Sequence, residues 1–355
     1  MYKMLETLAV ALLGGALFNL INIPIPWMLG PLTAVMVWDT AFKREVFWPR
    51  ELRNAGLAVL GFMMGVSFTR DTLAQITSQF TAMALVTVAL ILFSIFTGYI
   101  THKTTGISIS SSMIGSVPGG LSQMIVLSEE IPDADITVVT FMQTLRLLST
   151  LFVVPYLVVH GLADHVTQQL VLSPIASADY SITSPWVPII FLVNVIFTAW
   201  AAEKIHMPTP FLLGPLLGTA ILVVAGIPGF KVPPLISGIS QLCIGTYMGT
   251  SMQLSSMKNW RKLFPYAVAG SIALIIFSLA VGILLSYTHH LTMIDSFLST
   301  APGGMAEMGI TALMVQGNVS LISAYHLFRV IFILLVMPPI IKCWMKNRTN
   351  QMPES

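Results

Sequence analysis

The chain has 355 residues, of which 55% are hydrophobic and only 9% are charged, whereas about a quarter of the residues in an ordinary soluble domain are charged. Its mean hydropathy is +0.83, and 17 basic and 15 acidic residues give a formal net charge of +2. This composition excludes a soluble globular protein and a nucleic-acid partner, so we expect an all-α polytopic membrane protein whose surroundings are the lipid bilayer.

The first apolar run begins after Lys3 and has the position of a signal peptide. Glu6 interrupts it, and the run passes directly into the sequence INIPIPWMLG at 21–30. We therefore interpret it as an uncleaved first membrane span.

Twelve apolar segments follow one another along the chain, and each could enter or cross a hydrocarbon core of roughly 30 Å. They fall into two sets of six, at 5–23, 27–40, 54–69, 77–101, 106–128 and 136–159, and at 185–202, 208–227, 232–253, 263–288, 292–316 and 318–341. The predicted domains are a first membrane repeat at 1–160, a connecting loop at 161–184, a second membrane repeat at 185–345 and a polar C-terminal tail at 346–355.

Three motifs recur in the second set at one fixed offset of 184 residues. They are PIPWMLGPL at 24–32 with PTPFLLGPL at 208–216, GFMMGVS at 61–67 with GTYMGTS at 245–251, and SVPGGLSQM at 116–124 with TAPGGMAEM at 300–308. Near the end of each half the offset becomes 183, so that Arg146 matches Arg329. Separate motifs in one register indicate that the chain consists of two homologous halves.

The distribution of Lys and Arg favours one topology for these halves. If all twelve segments crossed, with the N-terminus inside, five basic residues would lie outside: Arg70, Lys204, Lys258, Arg261 and Lys262. If the Pro-Gly-Gly segment of each half enters and returns on the same side, only Arg70 and Lys231 lie outside, as the positive-inside rule prefers. We therefore predict two inverted repeats, each with about five transmembrane helices plus a re-entrant or broken Pro-Gly-Gly helical hairpin, and both termini in the cytoplasm.

The Pro-Gly-Gly motifs should be the tips of these hairpins, because proline lacks an amide hydrogen and glycine accepts unusual dihedral angles. Non-helical backbone at mid-membrane must be surrounded by protein or by a water-filled cavity. The helix that starts after each tip would present amide donors that attract anions, an arrangement found in many secondary transporters. The candidate substrate-binding residues at the tips are Pro118, Gly119, Gly120, Ser122, Gln123, Pro302, Gly303 and Gly304.

Arg146 and Arg329 complete the candidate substrate-binding set. Each lies near the middle of the last apolar segment of its half, where an unpaired guanidinium is costly. Two roles fit this position: neutralising helix carbonyls or a neighbouring carboxylate, or lining an anion path and gripping a carboxylate in two places.

Two acids distinguish the second half from the first. Glu307 aligns with Gln123, and Asp295 aligns with Ser111. Because a poorly hydrated carboxyl group can exchange a proton, Glu307 is the first candidate for coupling and Asp295 the second. A fixed salt bridge between Glu307 and Arg329 is the alternative.

The duplicated proline motif and the paired Pro-Gly-Gly elements resemble the integral-membrane AbrB family over nearly the whole chain. That family is unrelated to the soluble DNA-binding regulator of the same name. The resemblance implies a bacterial inner (cytoplasmic) membrane protein, labelled in that family a regulator of gene expression or an ammonia monooxygenase. The layout is also similar to that of the 2-hydroxycarboxylate and glutamate–sodium symporters, although the tips here lack the further glycine of their Gly-Gly-x-Gly motif.

These features predict a secondary transporter of a small organic anion that works by alternating access, with its site between the two hairpins. No cofactor, metal site or catalytic residue is expected, because the seven histidines show no ligand spacing and no enzyme motif occurs. Coupling to H⁺ or Na⁺ and homodimer formation stay open. The alternatives are a membrane-embedded ligand sensor that regulates gene expression and, less favoured, an ammonia monooxygenase-like enzyme.

Overall fold

The computed structural model describes residues 2–42, 45–129, 131, 133–162, 186–252 and 260–349, without the side chains of 121–123, 126, 260 and 337–349. Every regular element in these ranges is helical. The predicted connecting loop from 163 to 184, the predicted tail from 350 onward and Lys258 lie outside the described residues.

The first half contains eight α-helices among its described residues. They are α1 (Tyr2–Leu20), α2 (Pro26–Phe42), α3 (Arg50–Val66), α4 (Arg70–Ser78), α5 (Phe80–Thr105), α6 (Ile109–Ser116), α7 (Leu121–Glu129) and α8 (Ile136–Leu157), which ends in a π-helical turn at Val158–Leu162.

The described part of the second half contains seven further α-helices. They are α9 (Trp186–Lys204), α10 (Pro210–Val224), α11 (Pro234–Ser251), α12 (Trp260–His289), α13 (Met293–Thr300), α14 (Met305–Met314) and α15 (Val319–Thr349).

Within the described ranges, six helices are long and apolar enough to cross a membrane, which makes the chain a multi-pass membrane protein. The six stretches are Tyr2–Leu20, Phe80–Thr105, Ile136–Leu162, Trp186–Lys204, Arg261–His289 and Val319–Val336. The pair α3 and α4 would add a seventh, bent by 90° at the break between them. The sequence prediction did not separate α4, because its nine residues, six of them polar, lie between two apolar segments.

The chain folds into two compact units, and each takes segments from both halves. The first unit comprises Met1–Ser78, Leu151–Gln253 and Met305–Ser323, and the second comprises Gln79–Thr150, Leu254–Gly304 and Ala324–Ser355. The second unit therefore contains both Pro-Gly-Gly tips and both candidate arginines, while α14 belongs to the first unit.

Glycines bring the helices of the first unit into close contact. A Cβ at Gly61 of α3 would collide with the carbonyl oxygen of Leu212 in α10, and a Cβ at Gly245 of α11 would collide with that of Met28 in α2. Gly61 matches Gly245 and Met28 matches Leu212 at the offset of 184 residues, so each contact is the counterpart of the other. The same reciprocity holds in an isologous interface. The first-unit parts of the two halves therefore pack with a two-fold relation.

An aromatic pair in the second unit also indicates a two-fold relation between the halves. Phe93 of α5 and Phe277 of α12 are 184 residues apart, and their rings stack with centroids 4.2 Å apart and planes inclined by 1°. A residue that contacts its own counterpart lies beside a two-fold axis. Gly98 packs closely on α6 and its counterpart Gly282 on α13. The inversion of the halves across the membrane stays a prediction.

Candidate functional site

The first hairpin consists of α6, the tip Val117–Gly120 and α7. Ser108 caps α6 by accepting a hydrogen bond from the Ser111 amide, and the helix ends before Val117, whose backbone is extended. With eight and nine residues, α6 and α7 are about 12 to 14 Å long, far short of a membrane span. The predicted break at Pro-Gly-Gly is therefore present.

Two serines close the first hairpin at its open end. The Ser108 hydroxyl donates to the carbonyl oxygen of Asp133 at 2.6 Å, and the Ser111 hydroxyl accepts from the Asp135 amide at 2.7 Å. The chain therefore enters at Ser108 and leaves at Asp135 beside its point of entry. This geometry is that of a re-entrant hairpin, and Ser108 and Ser111 join its two ends.

The second hairpin has the same break in its helix. Thr292 caps α13 by accepting from the Asp295 amide at 3.1 Å, α13 ends at Thr300, and α14 begins at Met305 after the tip Ala301–Gly304. The Ala301 amide still donates to the Phe297 carbonyl at 2.9 Å. Both Pro-Gly-Gly motifs thus interrupt helices at equivalent positions.

Each candidate arginine binds the backbone of a tip. Arg146 donates from Nη1 to the Val117 carbonyl oxygen at 2.5 Å and from Nη2 to that of Gly119 at 3.1 Å. Arg329 donates in the same way to the carbonyl oxygens of Ala301 and Gly303, both at 2.7 Å. We call these two pairs of bonds the arginine clamps.

Each candidate arginine lies equally far from the start of its helix, and its depth in the membrane stays a prediction. Arg146 is ten residues from the start of α8, and Arg329 is ten residues from the start of α15. At 1.5 Å per residue this is about 15 Å, half of a hydrocarbon core of roughly 30 Å. Because the accepting carbonyls follow the C-terminal ends of α6 and α13, each guanidinium also lies near the negative end of a helix dipole.

A second polar residue supports each clamp, three positions before the arginine. Gln143 donates from Nε2 to the carbonyl oxygens of Ile114 and Val117, at 2.8 and 3.0 Å. Its counterpart is His326, whose Nε2 lies 2.9 Å from the Leu298 carbonyl oxygen and whose Nδ1 lies 2.7 Å from Nη2 of Arg329. Because a carbonyl can only accept and a guanidinium can only donate, His326 is neutral with its proton on Nε2.

Sequence reasoning missed Gln143 and His326. The signal that could have found them is a polar residue at the same spacing before each arginine, in the same 183-residue register. The two side chains differ in type, which hides them in a comparison of identical letters.

The tips lie in the protein interior, as non-helical backbone at membrane depth requires. Val117 and Ala301 are fully buried, Pro118, Gly119 and Pro302 are buried, and the remaining tip glycines are partly buried. The side chains of Ser122 and Gln123 lie outside the described residues, although both residues belong to α7. Binding of a substrate by this set stays a prediction.

The two candidate coupling acids are both buried. Glu307 is 7% exposed in the first turn of α14, and Asp295 is 8% exposed in the first turn of α13. A carboxylate at that position interacts favourably with the helix dipole. Their roles in coupling stay predictions.

No group of three or more His, Cys, Asp or Glu side chains comes together in the part of the chain that the structure describes. That the protein needs no metal and no cofactor stays a prediction.

Comparison with known proteins identifies the family. The family model described as "Transition state regulatory protein AbrB" matches residues 27–345. A Bacillus subtilis (strain 168) protein named "Uncharacterized protein YhjN" is 26% identical over 356 residues, covering 95% of this chain and 92% of that protein. An Escherichia coli (strain K12) protein named "Putative regulator AbrB" is 24% identical over 326 residues, covering 91% of each. Since the family model extends over both hairpins and both arginine clamps, this multi-pass membrane protein belongs to the AbrB family.

Proposed function

We propose that the protein is a secondary transporter that moves a small organic anion across the bacterial inner membrane by alternating access. The observation that carries the proposal is the pair of arginine clamps on two interrupted helices, repeated in both halves. Interrupted helices at mid-membrane are costly, and in secondary transporters they build the substrate site.

Electrostatics select an anion as the substrate. The partners of Arg329 are two carbonyl oxygens and a neutral imidazole nitrogen, and these bonds leave the guanidinium with its full positive charge. In a buried, weakly screened setting this charge acts more strongly than it would in water. A carboxylate approaching the tip gains from this field even while both Nη groups stay on the tip carbonyls.

Glu307 is the proposed coupling residue. It is the acid that replaces an amide of the first half, and it is buried. A buried carboxyl group that gains and loses a proton during the cycle would link anion transport to a proton gradient. Asp295 is the second candidate, and sodium coupling is the alternative.

Uptake by purified protein in liposomes tests the proposal. We expect a set of labelled mono-, di- and hydroxycarboxylates to include at least one whose uptake exceeds that of protein-free liposomes. Glu307→Gln should keep uptake but remove its dependence on a pH gradient, while Glu203→Gln, an exposed acid at the end of α9, should keep both. Absence of flux for every anion would contradict transport.

A second candidate function is a membrane-embedded ligand sensor that regulates gene expression. It is supported by the name of the Escherichia coli relative and by the description of the family model. A sensor would be stabilised against heat by an organic anion and yet show no flux of it. The same preparation therefore separates the two candidates, and stoichiometric iron or copper would instead favour a monooxygenase-like enzyme.

A further inference from the structure

A narrow crevice lies inside the second unit, beside the first tip. Its walls come from α5, α6, α8 and α12, and its volume of about 20 Å³ is enough for about one water molecule. The polar side chains that line it are Thr97, Thr101, Ser116, Arg146, Tyr266 and Ser271. The crevice thus brings a row of hydroxyl groups to the arginine of the first clamp.

Four of these hydroxyl groups present their oxygen atoms as acceptors. Each donates its own hydrogen to a helix carbonyl, and the bonds are Thr97 to Ser94 at 2.9 Å, Thr101 to Thr97 at 2.9 Å, Ser116 to Ser112 at 2.8 Å and Ser271 to Ala267 at 2.8 Å. Their lone pairs are left for another donor. A water molecule carries two donors and has the size of the space.

At the counterpart positions beside Arg329, α5 and α12 carry apolar side chains, most of them larger than those of the crevice. Val86, Val281 and Leu285 stand at the positions that match Gly270, Thr97 and Thr101. Met83 stands where the crevice has Ala267, and Met83 and Leu285 are only 2% and 3% exposed. These four residues replace two hydroxyl-bearing and two small residues of the crevice, while Thr87 and Thr300 keep hydroxyl groups at the positions of Ser271 and Ser116.

We propose that the crevice is a water-binding site that hydrates Arg146, while the equivalent position beside Arg329 is dry. The two hairpins, alike in backbone and clamp, would then differ in access to water. The consequence for transport rests on the proposed function. A small anion that approaches Arg146 would replace bound water, whereas one that approaches Arg329 would have no water to replace.

Two methionines of nearly equal exposure provide the test. Met142 lines the crevice and is 4% exposed, whereas Met83 stands at the counterpart position of Ala267 and is 2% exposed. Radiolytic hydroxyl-radical labelling of the whole protein in detergent, read by mass spectrometry, detects side chains next to bound water. We expect Met142 to be oxidised to its sulfoxide at least about fivefold faster than Met83, because the radicals form from water held beside it.

A plug variant supplies the control. Gly270→Val copies Val86, and the nearest atom to an added Cβ is Thr97 Cβ at 4.0 Å, so the new side chain can enter the crevice. It should reduce oxidation of Met142 to the rate of Met83, and Gly270→Ala serves if the valine variant does not fold. Equal oxidation of Met142 and Met83 in the unaltered protein, or fast oxidation of Met142 that persists in the plugged variant, would overturn the proposal. Labelling requires no transport, so failure to find a transported anion would leave this result unchanged.

Discussion

At the scale of single residues, the arginine clamps show which groups the two matched arginines, Arg146 and Arg329, bind. Each guanidinium spends its two Nη groups on backbone carbonyls of a tip, which matches the first of the two roles considered from sequence. Hydrogen bonds from a charged donor contribute about 1.5 to 3 kcal/mol each. The clamps therefore stabilise the non-helical backbone of both tips.

Replacing either arginine by lysine should destabilise the fold, because an ammonium group cannot reach two carbonyls with the planar geometry of a guanidinium. We expect Arg146→Lys and Arg329→Lys each to lower the free energy of unfolding by about 2 kcal/mol, measured by denaturant titration in detergent. Lys103→Arg, at an exposed position, should change it by less than about 0.5 kcal/mol. Unchanged stability in both clamp variants would show that the tips do not depend on these bonds.

His326 can be tested with the residue that the first half uses at the same position. His326→Gln retains a donor for Leu298 and an acceptor for Arg329, so its cost should stay below about 1 kcal/mol. His326→Leu removes both and should cost about 1 to 3 kcal/mol, because it leaves buried polar groups without a partner. Thermal unfolding of both variants checks the order, which would be wrong if the leucine variant were the more stable one.

At the scale of elements, close helix packing depends on glycine at a few crossings. The contacts of Gly61 with α10 and of Gly245 with α2 bring a backbone carbonyl against a Cα atom, so no side chain fits between the helices. Small residues at such crossings are how membrane helices approach each other. The duplicated motif around each glycine thus encodes a helix interface.

A methyl group at one of these crossings should therefore be poorly tolerated. Gly245→Ala places a Cβ against the carbonyl of Met28, and α11 can accommodate it only by moving away from α2. We expect a loss of about 1 to 3 kcal/mol of unfolding free energy, seen as a lower melting temperature in detergent. Gly161→Ala is the matched control, since nothing lies within 4 Å of its added Cβ. Equal melting temperatures for the two variants would contradict the packing argument.

At the scale of the whole molecule, each half contributes to both compact units, and packing contacts are exchanged between repeats. Hydrogen bonds across the open end of the first hairpin return the chain to its point of entry. If the hairpin enters and leaves on the same side, each half crosses the membrane five times. After an odd number of crossings the second half starts on the opposite side, so its orientation in the membrane is inverted. The predicted topology depends on this count.

Reporter fusions test the predicted topology. Alkaline phosphatase, which is active only outside the cytoplasm, should be active when fused after Lys231 and inactive when fused after Lys262, because the inverted arrangement places these basic residues on opposite sides. A green fluorescent protein fused at the same two sites should give the reverse pattern. An active phosphatase after Lys262 would remove the inverted arrangement, and with it a site built from hairpins that enter from opposite faces.

The sequence by itself determined the features that depend on local chemistry and on repetition. Composition required a membrane protein, the fixed offset revealed two halves, and Pro-Gly-Gly located the breaks at 116–121 and 300–305, because proline and glycine act on their own stretch of backbone. Tertiary structure alone decided the partners of Arg146 and Arg329, the support from Gln143 and His326, and the crevice beside one clamp. A buried side chain bonds to whatever folding brings within about 3 Å, and neither spacing nor residue type along the chain specifies that distance.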